Sequence, residues 1–281
     1  MSNNSKQWSS ATPGYIIFLI DQSGSMGEDY TGGKNKAEFT ATVINRTITE
    51  IVNTNMDGDK IKDRVFISLI GYGGNGGNSV DDIRSDYLSA FGDNPLRIEK
   101  GKQKQLDGNG GFIEIDVDVP IFIEPIANGL TPMGEALNFA KQLIEGWINK
   151  KPENPAPVII NISDGLPYEG NNGDEPNKTI RIAKELMNIS TADGNPLVFN
   201  VHIGNGGKEC GFEENENQLS DEEAKLLFKI SSKVPDSYKD AARKHDFKIA
   251  TESRGFVSNA EPLTLIKFIN FGSSGGTDRI I

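Results

Sequence analysis

Residues 15–27 read YIIFLIDQSGSMG: an apolar run that ends in an aspartate and two spaced serines. Tyr15–Ile20 is apolar on both alternating faces, the pattern of a strand buried on both sides within a parallel sheet. Ligands of open α/β sheets bind beyond the carboxyl ends of the strands, where the strand order reverses. The tip Asp21-Gln22-Ser23-Gly24-Ser25 therefore falls where such a sheet carries its site.

Outward from this stretch, strands and helices alternate. Lys36–Asn55 has Val43, Ile44, Ile48, Ile51 and Val52 at helical spacing. Val65–Ile70 (VFISLI) is a second buried strand, ended by Gly71. Residues 73–111 are irregular, with a Gly/Asn-rich start and the basic patch KGKQK at 100–104, and are expected as a loop or insertion. Phe112–Val119 alternates Ile113, Ile115, Val117 and Val119 with Glu114, Asp116 and Asp118, which predicts a half-exposed strand at a sheet edge. Pro132–Asn149 is a helix with Thr131 at the N-cap and Pro132 at the first helical position. Val158–Ser163 (VIINIS) is a buried strand that stops at Asp164-Gly165. A helix over 176–187, a strand at Leu197–Ile203, a helix opened by a Ser220/Glu223 capping box, and a short helix over 235–245 follow. Phe256-Val257 reads as a short edge strand, and Pro262–Phe271 as a last helix capped by Asn259. The expectation is one α/β domain over 13–272, with a mostly parallel sheet and helices on both faces. Residues 1–12 and 273–281 are expected as polar tails.

If the strands ending at Ile20 and Ser163 are neighbours, Asp21 and Asp164 face each other across one crevice. Two carboxylates so placed repel unless a cation or proton lies between them. Ser23, Ser25 and Thr131 add hydroxyl oxygens. An oxygen-only set with two carboxylates suits a hard ion, Mg²⁺ first, with Mn²⁺ or Ca²⁺ as substitutes.

Asp21-x-Ser23-x-Ser25, Thr131 and Asp164-Gly165 together resemble the metal-ion-dependent adhesion site of the von Willebrand factor A (vWA) domain. The resemblance covers about residues 13–272. It implies a Rossmann-like sheet of strand order 3-2-1-4-5-6 with the third strand antiparallel. It also implies direct coordination by Ser23 and Ser25. Asp21 and Asp164 would act through water or as outer acceptors, and Thr131 directly or through water. A protein partner would supply an Asp or Glu to the open position. Gln22, Met26, Tyr72, Gly129, Pro132, Gly165 and Leu166 form the expected partner-binding rim. The segment 250–272 is similar to bacterial intracellular vWA proteins of the tellurite-resistance-associated group, which implies a system containing a protein kinase and a phosphatase.

Composition narrows the alternatives. The 281 residues are 36% hydrophobic and 25% charged, ordinary for a globular chain, and no stretch approaches a membrane span. No basic region precedes Tyr15–Ile20, so a secretory leader is not expected and the cytoplasm is the simplest location. With 40 acidic and 29 basic residues the net charge is −11, which opposes nucleic-acid binding. Cys210 is the single cysteine, and His202 and His245 are the two histidines. That set supports neither a thiolate cluster nor a hydrolytic zinc site. The function implied is a non-enzymatic, metal-dependent protein-binding module. The first alternative is a Mg²⁺-dependent phosphohydrolase of haloacid-dehalogenase type, but that chemistry uses a second acid where Ser23 stands. The other is a scaffold with a vestigial metal site.

Overall fold

Strand β1, Gly14–Asp21, is buried along its whole length. Its alternation divides the core. Ile16, Phe18 and Ile20 join one apolar cluster, while Tyr15, Ile17 and Leu19 join another on the opposite face of the sheet. The computed structural model describes residues 4–106, 112–170, 173–204, 207–219 and 221–274.

Apart from two short hairpins at 29–35 and 56–61, the strands after β1 are, in chain order, β2 (Val65–Tyr72), β3 (Val80–Tyr87), β4 (Arg97–Leu106), β5 (Phe112–Ile121), β6 (Val158–Ser163), β7 (Leu197–His202), β8 (Cys210–Gly211) and β9 (Phe256–Ser258). The α-helices are α1 (Lys36–Thr54), α2 (Leu88–Asp93), α3 (Met133–Lys150), α4 (Glu175–Met187), α5 (Glu222–Lys229), α6 (Lys239–Lys244) and α7 (Pro262–Ser273). Seven strands form the main sheet in the order β8-β9-β7-β6-β1-β2-β3. β1 is parallel to both β2 and β6, β6 to β7, and β7 to β9. β3 runs antiparallel to β2 at one edge, and the two-residue β8 antiparallel to β9 at the other. Without β8, the strands lie in the order 3-2-1-4-5-6 of their joining the sheet. This is the α/β Rossmann-like architecture expected, with helices on both faces.

On one face α1 and α7 bring Ile44, Ile48, Phe268 and Phe271 to the sheet. On the other, α3, α4 and α5 bring Leu137, Ile144, Leu186 and Leu227. A buried polar line crosses the sheet centre. Tyr72 donates to Asn161 Oδ1 (3.0 Å), and Asn161 Nδ2 donates to Asn200 Oδ1 (2.9 Å). Buried polar groups persist when they are bonded in this way.

Several expectations are corrected. The antiparallel edge strand is β3, not Phe112–Val119. β3 reads VDDIRSDY and is half-buried almost throughout, so its residues carry no apolar alternation to mark it. Residues 112–121 pair instead with β4 in a separate two-stranded ribbon. Much of the stretch read as a 73–111 loop is therefore regular: β3, α2 and β4. A groove of about 830 Å³ lies between this ribbon and α1, lined by mixed charges including Glu38, Arg46, Arg97 and Glu99. The N-terminal segment from residue 4 is no free tail. Trp8 is fully buried in the core, and Ser5 and Lys6 donate their backbone N–H groups to Asp193 Oδ1 at 2.7 Å. Gly14 makes room for the indole, because a Cβ there would lie 2.1 Å from Trp8 Cδ2.

Phe256–Ser258 lies one place in from the edge, because Cys210-Gly211 covers it. Three caps also differ from expectation. Pro132 rather than Thr131 is the N-cap of α3, Asp221 caps α5 by accepting from Ala224 N, and Glu261 rather than Asn259 precedes α7. Ser220 lies outside the described residues. α7 runs on to Ser273, whose hydroxyl donates to Ile269 O at 2.8 Å. The remainder of the expected C-terminal tail, 275–281, lies outside the described residues.

Candidate functional site

β1 and β6 are adjacent, with Ile20 beside Ile162. The loops that leave their carboxyl ends therefore open into the same crevice. Asp21 ends β1 and is only 1% exposed. Its Oδ1 accepts the Ser23 backbone N–H at 2.9 Å, and its Oδ2 accepts the Ser163 hydroxyl at 2.6 Å. Burial pushes the Asp21 carboxyl up to about 6; Ser163 opposes the rise and the nearby Asp164 adds to it. A buried, electrically unbalanced carboxylate of this kind calls for a cation or a proton.

After Asp21 the chain turns through a 3₁₀ segment, Gly24–Gly27. The turn brings the Ser23 and Ser25 hydroxyls to 3.1 Å from each other. Ser25 Oγ donates to Asp164 Oδ1 at 2.8 Å. Since that bond uses the Ser25 proton, Ser23 donates to Ser25. Four of the five expected site residues thus form one connected arrangement.

Thr131 arrives from another segment. Gly129 O accepts the Gly24 N–H, and Asn128 N–H donates to Gln22 O, so 128–131 runs alongside the Ser23 turn. The Thr131 backbone is bonded in both directions to Tyr168, at 2.8 and 2.9 Å. Thr131 is buried, and its carbonyl also accepts the Met133 N–H at 2.8 Å, which ties it to the start of α3. Packing here is backbone against backbone. A Cβ at Gly129 would lie 1.8 Å from Gly73 O, and one at Gly73, whose φ is +83°, 2.0 Å from Leu130 O.

The rim expected from the sequence is only partly on the surface. Gln22, Met26, Tyr72 and Pro132 are buried, a correction to their assignment as partner contacts. Each has a packing reason. The Gln22 side chain fills the space over Gly71 and Gly74. Met26 belongs to the core of the α1 face. Tyr72 is bonded to Asn161, and burial raises its phenol well above the ordinary range. Pro132 begins the buried first turn of α3. Gly129, Gly165 and Leu166 are half-buried at the crevice, while Gly24, Ser25 and Gly27 are exposed.

Two residues at the site escaped the sequence reading. Tyr168, bridged to Thr131, is 54% exposed. An aromatic residue in the Gly/Asn-rich stretch after Asp164 was the available signal. The other is Lys36, at the start of α1. Its ammonium donates to Asp164 Oδ2 and to Glu28 Oε2, both at 2.7 Å. Burial alone would lower the Lys36 pKa, but the two carboxylates outweigh it and the net shift is upward. Nothing in the local sequence marks Lys36, because its partner is 128 residues away.

Among the described residues, no group of three or more His, Cys, Asp or Glu could hold a metal. An ion at this crevice would therefore depend on the hydroxyls of Ser23, Ser25 and Thr131 beside Asp21 and Asp164. That donor set fits a hard, oxygen-seeking ion, and the raised Asp21 carboxyl supplies the electrostatic demand.

No protein-family model and no curated protein matches the chain. Solved structures similar to it include the vWF domain of the type V pili tip protein Mfa5 from Porphyromonas gingivalis, at 18% identity and TM-score 0.32 over 56% of this chain and 39% of that one. The adhesive tip pilin GBS104 from Group B Streptococcus agalactiae matches at 14% identity and TM-score 0.30, over 55% of this chain and 46% of that one. The PilB minor pilin from Streptococcus sanguinis matches at 11% identity and TM-score 0.46, over 95% of this chain and 62% of that one. The chain thus spans less than two thirds of each of these structures. The fold assignment rests on the strand order and not on these likenesses. Among the described residues, no helix is long and apolar enough to cross a membrane.

Proposed function

We propose that this chain is a divalent-metal-dependent protein-binding module. Ser23, Ser25 and Thr131 would hold a Mg²⁺ ion with Asp21 and Asp164 around it, and an acidic side chain of a protein partner would complete the coordination. The observation that carries this reading is the convergence of Asp21, Ser23, Ser25 and Asp164 in one crevice, where a buried carboxyl is raised to about 6. The Ser23 and Ser25 hydroxyls are neutral donors, so an ion held by them stays electrophilic toward an external carboxylate. A partner from a kinase- and phosphatase-containing bacterial system belongs to the same proposal and rests on the resemblance alone; a cytoplasmic location is proposed with it.

The geometry supports binding over hydrolysis. Both Asp21 oxygens accept hydrogen bonds and the residue is almost wholly buried, which is a poor arrangement for a nucleophile. Calorimetric titration with Mn²⁺ tests the metal: one ion per chain is expected for the wild type, and none at the same concentrations for Ser25→Ala. Extract proteins should be retained on the immobilised chain in Mg²⁺ and released by EDTA. Retention that ignores EDTA would sink the reading, and phosphatase turnover lost in Asp21→Asn would replace it.

A further inference from the structure

Glu28, Lys36 and Asp164 form a charge cluster against the crevice. The Lys36 and Asp164 side chains are 5% and 1% exposed, whereas Glu28 is 59% exposed. The inner pair is therefore shielded from solvent, and the outer partner is not. Asp164 is bonded on both oxygens, to Ser25 through Oδ1 and to Lys36 through Oδ2. The capping box of α1 fixes the lysine's backbone: Asn35 Oδ1 accepts Glu38 N–H at 2.8 Å and Glu38 Oε2 accepts Asn35 N–H at 3.0 Å. Lys36 N–H also donates to Glu28 O at 3.1 Å, anchoring the residue beside the Ser23–Ser25 turn.

We propose that Lys36 is a tethered cation that neutralises Asp164 and so sets the affinity of the crevice for a divalent ion, holding it low. This rests on the metal-binding reading above. A fixed ammonium on one of two carboxylates leaves Asp21 as the principal uncompensated charge. Charges so close and so shielded interact far more strongly than they would in water. Lys36 thereby weakens the hold on the ion. By the same charge it leaves a bound ion more electropositive toward an incoming anion. Removal of the ammonium should tighten metal binding, and should also leave Asp164 buried without its partner in the metal-free protein.

The test is titration of full-length wild type, Lys36→Met, Lys36→Gln and Lys36→Arg with Mn²⁺. Free ion is read by its electron paramagnetic resonance signal, and folding is checked by circular dichroism and melting in EDTA. Lys36→Met and Lys36→Gln should bind Mn²⁺ about tenfold tighter than wild type. Lys36→Arg, which keeps the charge, should stay within about threefold of wild type. In EDTA the two neutral variants should melt lower than wild type, and added Mn²⁺ should raise their melting temperature further than it raises the wild type's. The glutamine variant stands in should the methionine variant misfold. Wild type and neutral variants that bind equally, or neutral variants that bind more weakly, overturn this inference and leave the metal-binding reading intact. Binding by the neutral variants alone supports it, and no binding by any of the proteins overturns both.

Discussion

The Ser163 hydroxyl donates to Asp21 Oδ2 at 2.6 Å, joining the ends of two adjacent parallel strands through a single buried bond. Truncation in Ser163→Ala leaves that oxygen dry and unpaired. Such a loss costs about 1–3 kcal/mol. Because the Ser163 bond holds the Asp21 carboxyl down, its removal should raise that carboxyl further above 6. Urea unfolding in EDTA at pH 7.5 should show the destabilisation, and a midpoint equal to wild type would show that the bond does not matter.

Asp21 should also give metal-free stability a pH dependence of unusual sign. Its carboxyl titrates near 6 in the fold against 3.8 ordinarily. Between those values the folded protein holds a proton that the unfolded chain has released. Stability therefore falls as pH rises through about 4 to 6 and stays depressed above. The full effect is on the order of 3 kcal/mol for this one group. Asp21→Asn keeps the side chain's shape and removes the titration. In EDTA, the difference in stability between Asp21→Asn and wild type should grow in favour of the variant from pH 4 to 7. A constant difference would show that Asp21 is not raised. Saturating Mg²⁺ should abolish the growth.

Which parts of the site could be read beforehand follows from how local their signals are. Tyr15–Ile20 declares itself because both faces of that strand are apolar and both faces are buried. Asp21, Ser23 and Ser25 follow it directly, and Asp164 ends another buried strand, so strand-end position alone brings them together. β3 was hidden because Asp81, Asp82, Arg84 and Asp86 interrupt any apolar pattern in an edge strand that is half-buried. Trp8 was hidden among polar neighbours, and its burial is a tertiary contact under Gly14. Lys36 reads as an ordinary helix-start lysine until the fold sets Asp164 against it. Gln22 and Met26 look like exposed turn residues in sequence. Their side chains turn inward because glycines at 71 and 74 leave room for one and the core of the α1 face accepts the other.

The N-terminal segment gives a test that separates a packed arm from a tail. Trp8 is fully buried, and Asn4 donates to Asn195 O at 2.8 Å. Truncation of a buried aromatic side chain costs about 3–5 kcal/mol. Trp8→Ala should therefore lose most of a modest stability margin, as should deletion of residues 1–12. Thermal melting checks both; an unchanged melting temperature in the deletion would mean that the arm contributes nothing.

Glycine replacement at two positions should act in opposite directions. Gly129 sits where the segment before α3 meets the loop after β2, and a Cβ there would lie 1.8 Å from Gly73 O and 2.9 Å from Gly77 O. Neither obstacle is a side chain that can swing away, so Gly129→Ala must push two backbone segments apart. Overpacking of this kind costs about 1–3 kcal/mol. It also moves Thr131 relative to Ser23, so Mn²⁺ affinity should fall at least tenfold even where the protein stays folded. Gly146 lies on the exposed side of α3 with open space around it. There alanine relieves the helix of its most flexible residue and should stabilise by about 0.5–1 kcal/mol, with Mn²⁺ binding unchanged. Paired melting and titration of the two variants distinguish a crevice held by close backbone approach from a merely flexible loop. If Gly129→Ala matches wild type in both measurements, the close approach is not what positions Thr131.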